Sequence, residues 1–224
     1  MKKRIVLWVV LIGVLFASCQ AIQYKKEIKK SYPTLGALGI FENYIAQEIT
    51  QEKSVVDLSM PVRLKIETVS ETPRDIFKKN DTSLIIREYI TLEVLDAYAL
   101  LDQINQNKEL IGYLRSNPRV RLVTKVSIEF DEELQKELLE SQELYLVQNQ
   151  QKTLSIEVRE NNKVQNTIEF SEGKIIAITP MEFCWGTKKG FKVQLMDIIP
   201  VGANCSQETY KTYKRAKRKT EFNW

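Results

Sequence analysis

The 224-residue chain contains no histidine. That removes the side chain that titrates nearest neutrality, and with it the commonest general base, the serine and cysteine triads built on it and most catalytic zinc sites. Cysteine is scarce too: there are three, at positions 19, 184 and 205, and two or three thiols without histidine do not complete a structural zinc site. Glycine occurs only eight times, and Gly36 and Gly39 lack both the preceding strand and the following Lys-Ser or Lys-Thr that phosphate-cradling loops require. Long apolar runs are also missing. The longest, Ile5 to Ala17, spans thirteen residues, short of the ~20 that carry a helix across a bilayer.

The chemistry left open is that of carboxylates, lysine and tyrosine. Ser171-Glu172-Gly173-Lys174 has the spacing of a serine-lysine pair, but that pair works from a helix in a cleft, and here it falls in a predicted hairpin turn that Gly173 suits. Asp131, Glu132 and Glu133 read as charges favourable at a helix N-terminus rather than as catalytic acids. The sequence therefore assigns no catalytic residue, no metal site and no cofactor.

The first residues carry a different signal. Lys2, Lys3 and Arg4 precede the apolar run, and small residues Ala17 and Ser18 precede Cys19, the three-part layout of a secretory leader. Phe16-Ala17-Ser18-Cys19 resembles the lipobox of bacterial lipoproteins, with Phe16 standing where that family usually has Leu. The resemblance covers the leader alone and names no family for the mature domain. It implies removal of residues 1–18, acylation of Cys19 and attachment to a membrane by several acyl chains, since one chain binds only marginally. Gln20, a non-acidic residue after the cysteine, implies the outer membrane, with the domain in the periplasm or at the cell surface. In such an oxidising compartment the remaining thiols, Cys184 and Cys205, are expected to form a disulfide. It would close a loop of about 20 residues and contribute roughly 3 kcal/mol.

Beyond the leader, residues 19–33 read as a basic tether, with Lys25, Lys26, Lys29 and Lys30 around Glu27. In Thr34–Gln51 the apolar positions Leu38, Phe41, Ile45 and Ile49 recur every three or four residues, which predicts an amphipathic helix. Leu58, Met60, Val62, Leu64 and Ile66 then alternate with polar residues, predicting a strand that Pro61 places at an edge or a bulge. A second strand is expected at 84–95, a helix at 96–115 stopped by Asn117-Pro118, a strand at 120–130 and a helix from Asp131 to about Gln142. Strands at 143–149, 153–159, 163–170, 174–180, 181–185 and 190–199 complete a meander, with Val164, Ile168 and Phe170 facing the same side as Leu154, Ile156 and Val158. The expected fold is α+β: an antiparallel, β-rich domain over residues 34–206, with two or three amphipathic helices packed on the sheet. Division into subdomains 34–117 and 118–206 stays open.

Residues 207–224 form a basic, aromatic tail. Six basic residues, Lys211, Lys214, Arg215, Lys217, Arg218 and Lys219, stand against two acidic ones, so this stretch alone matches the +4 of the whole chain. With Tyr213 and Trp224 it reads as a site for an anion or a partner, with a solvated, frayed terminus as the alternative. On an exported protein its targets would be anionic lipid, anionic glycan or the acidic face of an envelope protein, and not nucleic acid. The functional expectation is a membrane-anchored, non-enzymatic scaffold or accessory subunit of an envelope assembly. A second reading, a lipoprotein that binds a glycan or small ligand, would use Trp185 as a stacking platform. Replacing Cys19 by Ala is expected to abolish metabolic labelling by fatty acid and change gel migration; an unchanged label rules out the lipobox reading.

Overall fold

In the computed structural model of the chain, the described residues are 33–43, 48–71, 87–188 and 192–221. Cys19, the tether up to residue 32 and Trp224 lie outside them. The described residues belong to one compact unit and form ten strands and four α-helices. Among them, no helix is long and apolar enough to cross a membrane.

The strands are β1 (Ala37–Asn43), β2 (Glu48–Val55), β3 (Val62–Glu71), β4 (Arg87–Val94), β5 (Arg121–Glu129), β6 (Glu143–Gln148), β7 (Leu154–Glu160), β8 (Lys163–Glu169), β9 (Lys174–Lys188) and β10 (Lys192–Pro200). They make one sheet in the order β10-β9-β5-β4-β3-β6-β7-β8, every pair antiparallel. β1 pairs with β2 and, through Leu38 and Gly39, with Leu122 and Arg121 at the start of β5. Because β9 runs along one side of β5 from Leu122 to Glu129, β1 must take the other side, which β4 leaves after Val94. The α+β expectation therefore holds, with an antiparallel sheet as the main element.

The predicted helix over Thr34–Gln51 is replaced by the β1–β2 hairpin. Its pairing shifts register between Leu38 and Gly39, between Ile40 and Phe41 and again before Asn43. The residues added at the first two shifts lie in β2, so β1 keeps its alternation from Ala37 to Phe41; Leu38 is buried on one face while Ala37 and Phe41 are buried on the other. A strand covered on both faces has here reproduced the spacing of a helix. β8 departs from constant alternation because it carries a bulge of its own. Its register shifts against β7 between Val158 and Arg159, so Val164 is 53 % exposed while Ile168 and Phe170 are buried, against the common face expected for all three.

The predicted helix 96–115 is two, α1 (Ala97–Gln106) and α2 (Lys108–Ser116). Asn107 separates them: its backbone N–H caps Ile104 while its side-chain oxygen accepts from the N–H of Leu110 at 3.0 Å, closing one helix and opening the next. α3 (Glu132–Glu140) starts as expected, with the Asp131 carboxylate accepting from the N–H of Leu134 at 2.8 Å. The stretches expected as separate strands, 174–180 and 181–185, are one strand, β9, running through Pro180. That proline is tolerated because β10 ends opposite Met181, and the Val123 carbonyl across from it accepts instead from Gly36. Its missing N–H thus deprives no neighbour.

One core joins these elements. Leu35, Leu38, Ile90, Leu92, Leu122, Ile128, Leu146 and Ile156 are fully buried and belong to one contiguous cluster with Leu100, Ile104 and Leu114 of α1 and α2. Two side chains complete the backbone pairing at the margins. Gln103 of α1 accepts from the N–H groups of Ser59 and Met60 and donates to the Met60 carbonyl. Asn105 accepts from the Leu195 N–H at 2.9 Å and donates to its carbonyl at 2.8 Å, so α1 covers part of the outer edge of β10 as a neighbouring strand would.

Gly36 ties β1 to both sides of the core. Its N–H donates to Val123, its carbonyl accepts from Val56, its φ is +79°, and a Cβ would meet Leu154 at 2.5 Å. Gly36→Ala is expected to cost about 1–3 kcal/mol in urea or thermal unfolding, combining left-handed strain with overpacking. Gly112→Ala, where nothing lies within 4 Å on exposed α2, should instead stabilise by about 0.5–1 kcal/mol.

Candidate functional site

The C-terminal segment is built onto β9. After β10, Gly202, at φ +86°, turns the chain back, and the Ala203 N–H donates to the Pro200 carbonyl at 3.0 Å, as in a turn with glycine at its third position. Cys205 then meets Cys184 of β9 in a disulfide with a Cα–Cα distance of 5.8 Å, the pairing expected from the thiol count. Two backbone hydrogen bonds of 2.7 Å come next, each way between Tyr210 and Trp185. Leu195 of β10 already pairs with Trp185 on one side, so Tyr210 occupies the other, beyond the point where β5 begins.

Lys211 is held next. Its ammonium lies 2.9 Å from the Glu182 carboxylate, whose other oxygen is 2.7 Å from the Arg121 guanidinium. Glu182 is 7 % exposed. A buried carboxylate needs such partners, because removing one charge of a desolvated set leaves the rest uncompensated. Of the tail cations read as ligands for an external anion, Lys211 thus already has an internal one.

Thr212 then opens α4 (Tyr213–Glu221), its hydroxyl accepting from the Arg215 N–H at 3.3 Å. Nine residues are too few for a helix to persist alone in water, and α4 contributes to the core chiefly through Ala216, 2 % exposed, and half-buried Tyr213. The Tyr213 ring stands edge-on to Trp185 at 5.4 Å, and Arg115 from the last turn of α2 lies over it at 4.5 Å. Trp185 itself is 2 % exposed, so it is core beside the disulfide and no platform for a ligand in solvent. Tyr210 is also engaged, with the Arg215 guanidinium over its ring at 5.5 Å.

What remains on the surface is charge. Lys214, Arg215, Lys217, Arg218 and Lys219 are all exposed. Among the described residues only Lys217 of these five has an ion pair, with Glu221 at 3.6 Å. Between α4 and the end of α2 runs a groove of about 850 Å³, lined by Arg115, Lys214, Arg215, Arg218 and Lys219, with Tyr213 as its aromatic wall and no carboxylate. An adjoining hollow shares Arg115, Lys214 and Arg218 and adds Lys217 and Glu221. The Nε of Arg115 is buried and makes no hydrogen bond. Lys214 and Arg215 stand in the first turn of α4, which has no acidic residue, where the helix dipole disfavours cations and favours an anion.

Sequence reasoning identifies the tail cations but not Arg115, which lies almost a hundred residues away and reads only as a basic residue favourable in the last turn of α2. Nor does it connect Arg121 and Glu182 with Lys211. The Ser171–Lys174 segment lies in a 3₁₀ turn, Phe170–Glu172, and the start of β9, in keeping with its turn reading. Among the described residues, no cluster of three or more metal-ligating side chains occurs.

Comparison of the chain with models of protein families, with curated proteins and with solved structures finds no match. Any functional reading therefore rests on the groove and its surroundings. Glu182→Gln, which strands the largely buried Arg121, is expected to lower stability by about 3 kcal/mol and to raise amide exchange across residues 205–221. Lys217→Gln, at an exposed pair, should leave both unchanged.

Proposed function

We propose that the protein is a membrane-anchored, non-enzymatic accessory or scaffold subunit of a bacterial envelope assembly. In this reading Cys19 carries the lipid, the basic tether joins the α+β domain to the membrane, and α4 with its groove is the face that grips an anionic component of the assembly. The observation that carries the reading is the way α4 is held. A short helix whose outward residues are almost all cations is fixed to β9 by a disulfide, a backbone pair and an ion pair.

Like charges gathered on one surface repel one another, so such a cluster lowers the stability of the fold that carries it unless an anion is bound. A frayed terminus would relieve that repulsion by spreading out. Here the chain does the opposite, which favours docking over the solvated-tail reading. The glycan- or small-ligand-binding alternative loses its aromatic platform, because Trp185 is buried and the rings of Tyr210 and Tyr213 each carry an arginine.

The test is co-purification. Full-length protein solubilised from its native membranes in mild detergent should migrate with partners in a complex larger than itself. Lys214→Glu with Arg218→Glu, both on the exposed side of α4, should remove those partners while thermal unfolding stays cooperative. Migration alone for both forms overturns the reading.

A further inference from the structure

We infer that the groove between α2 and α4 is a phosphate site, and that the phosphate it takes belongs to the headgroups of membrane lipids. The inference rests on the proposal that α4 is a docking face, and it names the chemistry of what is docked.

Three features narrow the ligand. Five cations and no carboxylate line the groove, so the ligand is an anion of more than one charge. Three of those cations are arginines, 115, 215 and 218, whose planar forked donors match the oxygens of phosphate in pairs. The aromatic rings nearby are occupied by Trp185, Arg115 and Arg215, so recognition does not proceed by stacking on a sugar or a base. What the groove can offer is hydrogen-bonding charge from the exposed Lys214, Arg215, Arg218 and Lys219.

The geometry also suits more than one phosphate. Lys214 and Arg218 stand one turn apart on α4, as do Arg215 and Lys219, so successive cations recur about 6 Å along the helix. That is a short row rather than a single point. A membrane surface presents phosphates in two dimensions at high local concentration, and juxtamembrane basic residues are attracted to it by about 1 kcal/mol each. An acidic protein face would offer carboxylates to the same row, and the experiment separates the two.

The test is lysine footprinting by an amine-acylating reagent on the full-length protein, read by mass spectrometry at Lys214 and Lys219, with exposed Lys136 and Lys163 as controls. One arm adds inorganic pyrophosphate to protein in neutral detergent. A second adds succinate at equal ionic strength. A third reconstitutes the protein in phosphatidylcholine vesicles with or without phosphatidic acid. The expectation is that pyrophosphate and phosphatidic acid each slow acylation of Lys214 and Lys219 severalfold, that the controls do not change, and that succinate has little effect. Arg218→Gln, an exposed change, and Arg115→Gln should each weaken the pyrophosphate effect by roughly tenfold in concentration, as loss of a charge-assisted hydrogen bond implies.

Equal protection by succinate, or protection of the control lysines to the same degree, overturns the phosphate site. Protection by pyrophosphate but not by phosphatidic acid overturns the headgroup as its source. Failure here is distinguishable from failure of the docking reading. If partners still co-purify and are lost on charge reversal of α4, while no phosphate arm protects, the phosphate inference falls and the docking face remains.

Discussion

The Glu182 carboxylate, with Cys184 and Trp185 just beyond it on β9, is the constraint on which the C-terminal surface depends. Glu182 lies between Arg121, at the start of β5, and Lys211, just before α4. Its placement is itself a product of the sheet: β5 begins opposite Met181, and past that point β9 has a free side that the returning chain can occupy. The disulfide at Cys184 and the two hydrogen bonds at Trp185 use that side at once. Three different kinds of bond within four residues of one strand make the path of residues 205–213 a single solution rather than an ensemble. α4 then needs little attachment of its own, and Ala216 and Tyr213 suffice.

That division of labour explains an apparent conflict in α4. Its composition argues against a stable helix: cations in the first turn oppose the dipole, and its one fully buried side chain, Ala216, contributes little apolar area. Propensity and packing together would leave it unfolded as a peptide. Held at its start by β9, however, it has no need of a hydrophobic stripe, and its surface is free to be nearly all charge. The fold has separated the residues that fix the helix from those that face solvent, which is the arrangement a binding surface requires if ligand and scaffold are not to compete for the same groups.

Much of this architecture is legible in local patterns, and the failures share one cause. The alternation of Val62, Leu64 and Ile66, the acidic cap at Asp131 and the thiol count each report on a few adjacent residues or a simple sum, and each is found in the structure. The strand expected from Leu58, however, starts only at Val62, after Pro61, leaves Met60 exposed and lies between β4 and β6 rather than at an edge. β1 reads as a helix because both of its faces are covered, so that buried Leu38 and Phe41 stand three apart. Val164 falls on the wrong face because β8 gains a residue against β7. One inserted residue is invisible to a pattern that assumes constant alternation, because the partner strand against which it would show is far away in sequence. Pro180 misleads in the opposite direction: it is a poor strand residue in general, yet it fits at the one place in β9 where a neighbour has just ended.

The candidate site shows the same limit more sharply. Its cations on α4 are contiguous and evident from composition, whereas the residue that turns a charged helix into a groove, Arg115, comes from α2. Only the tertiary fold brings the Arg115 guanidinium onto Tyr213 and leaves its Nε buried without an acceptor. The internal pairing of Lys211 is equally unreadable in sequence, and it matters as much, since it takes one cation out of the proposed binding surface and uses it to fix the others. A basic tail and a basic groove thus have nearly the same composition but different physics. In a loose tail each charge would be screened independently by salt; on α4 the backbone holds arginines and lysines at helical spacing before any ligand arrives. Preorganisation of that kind lowers the entropy lost on binding, and it depends on β9 rather than on the basic residues themselves.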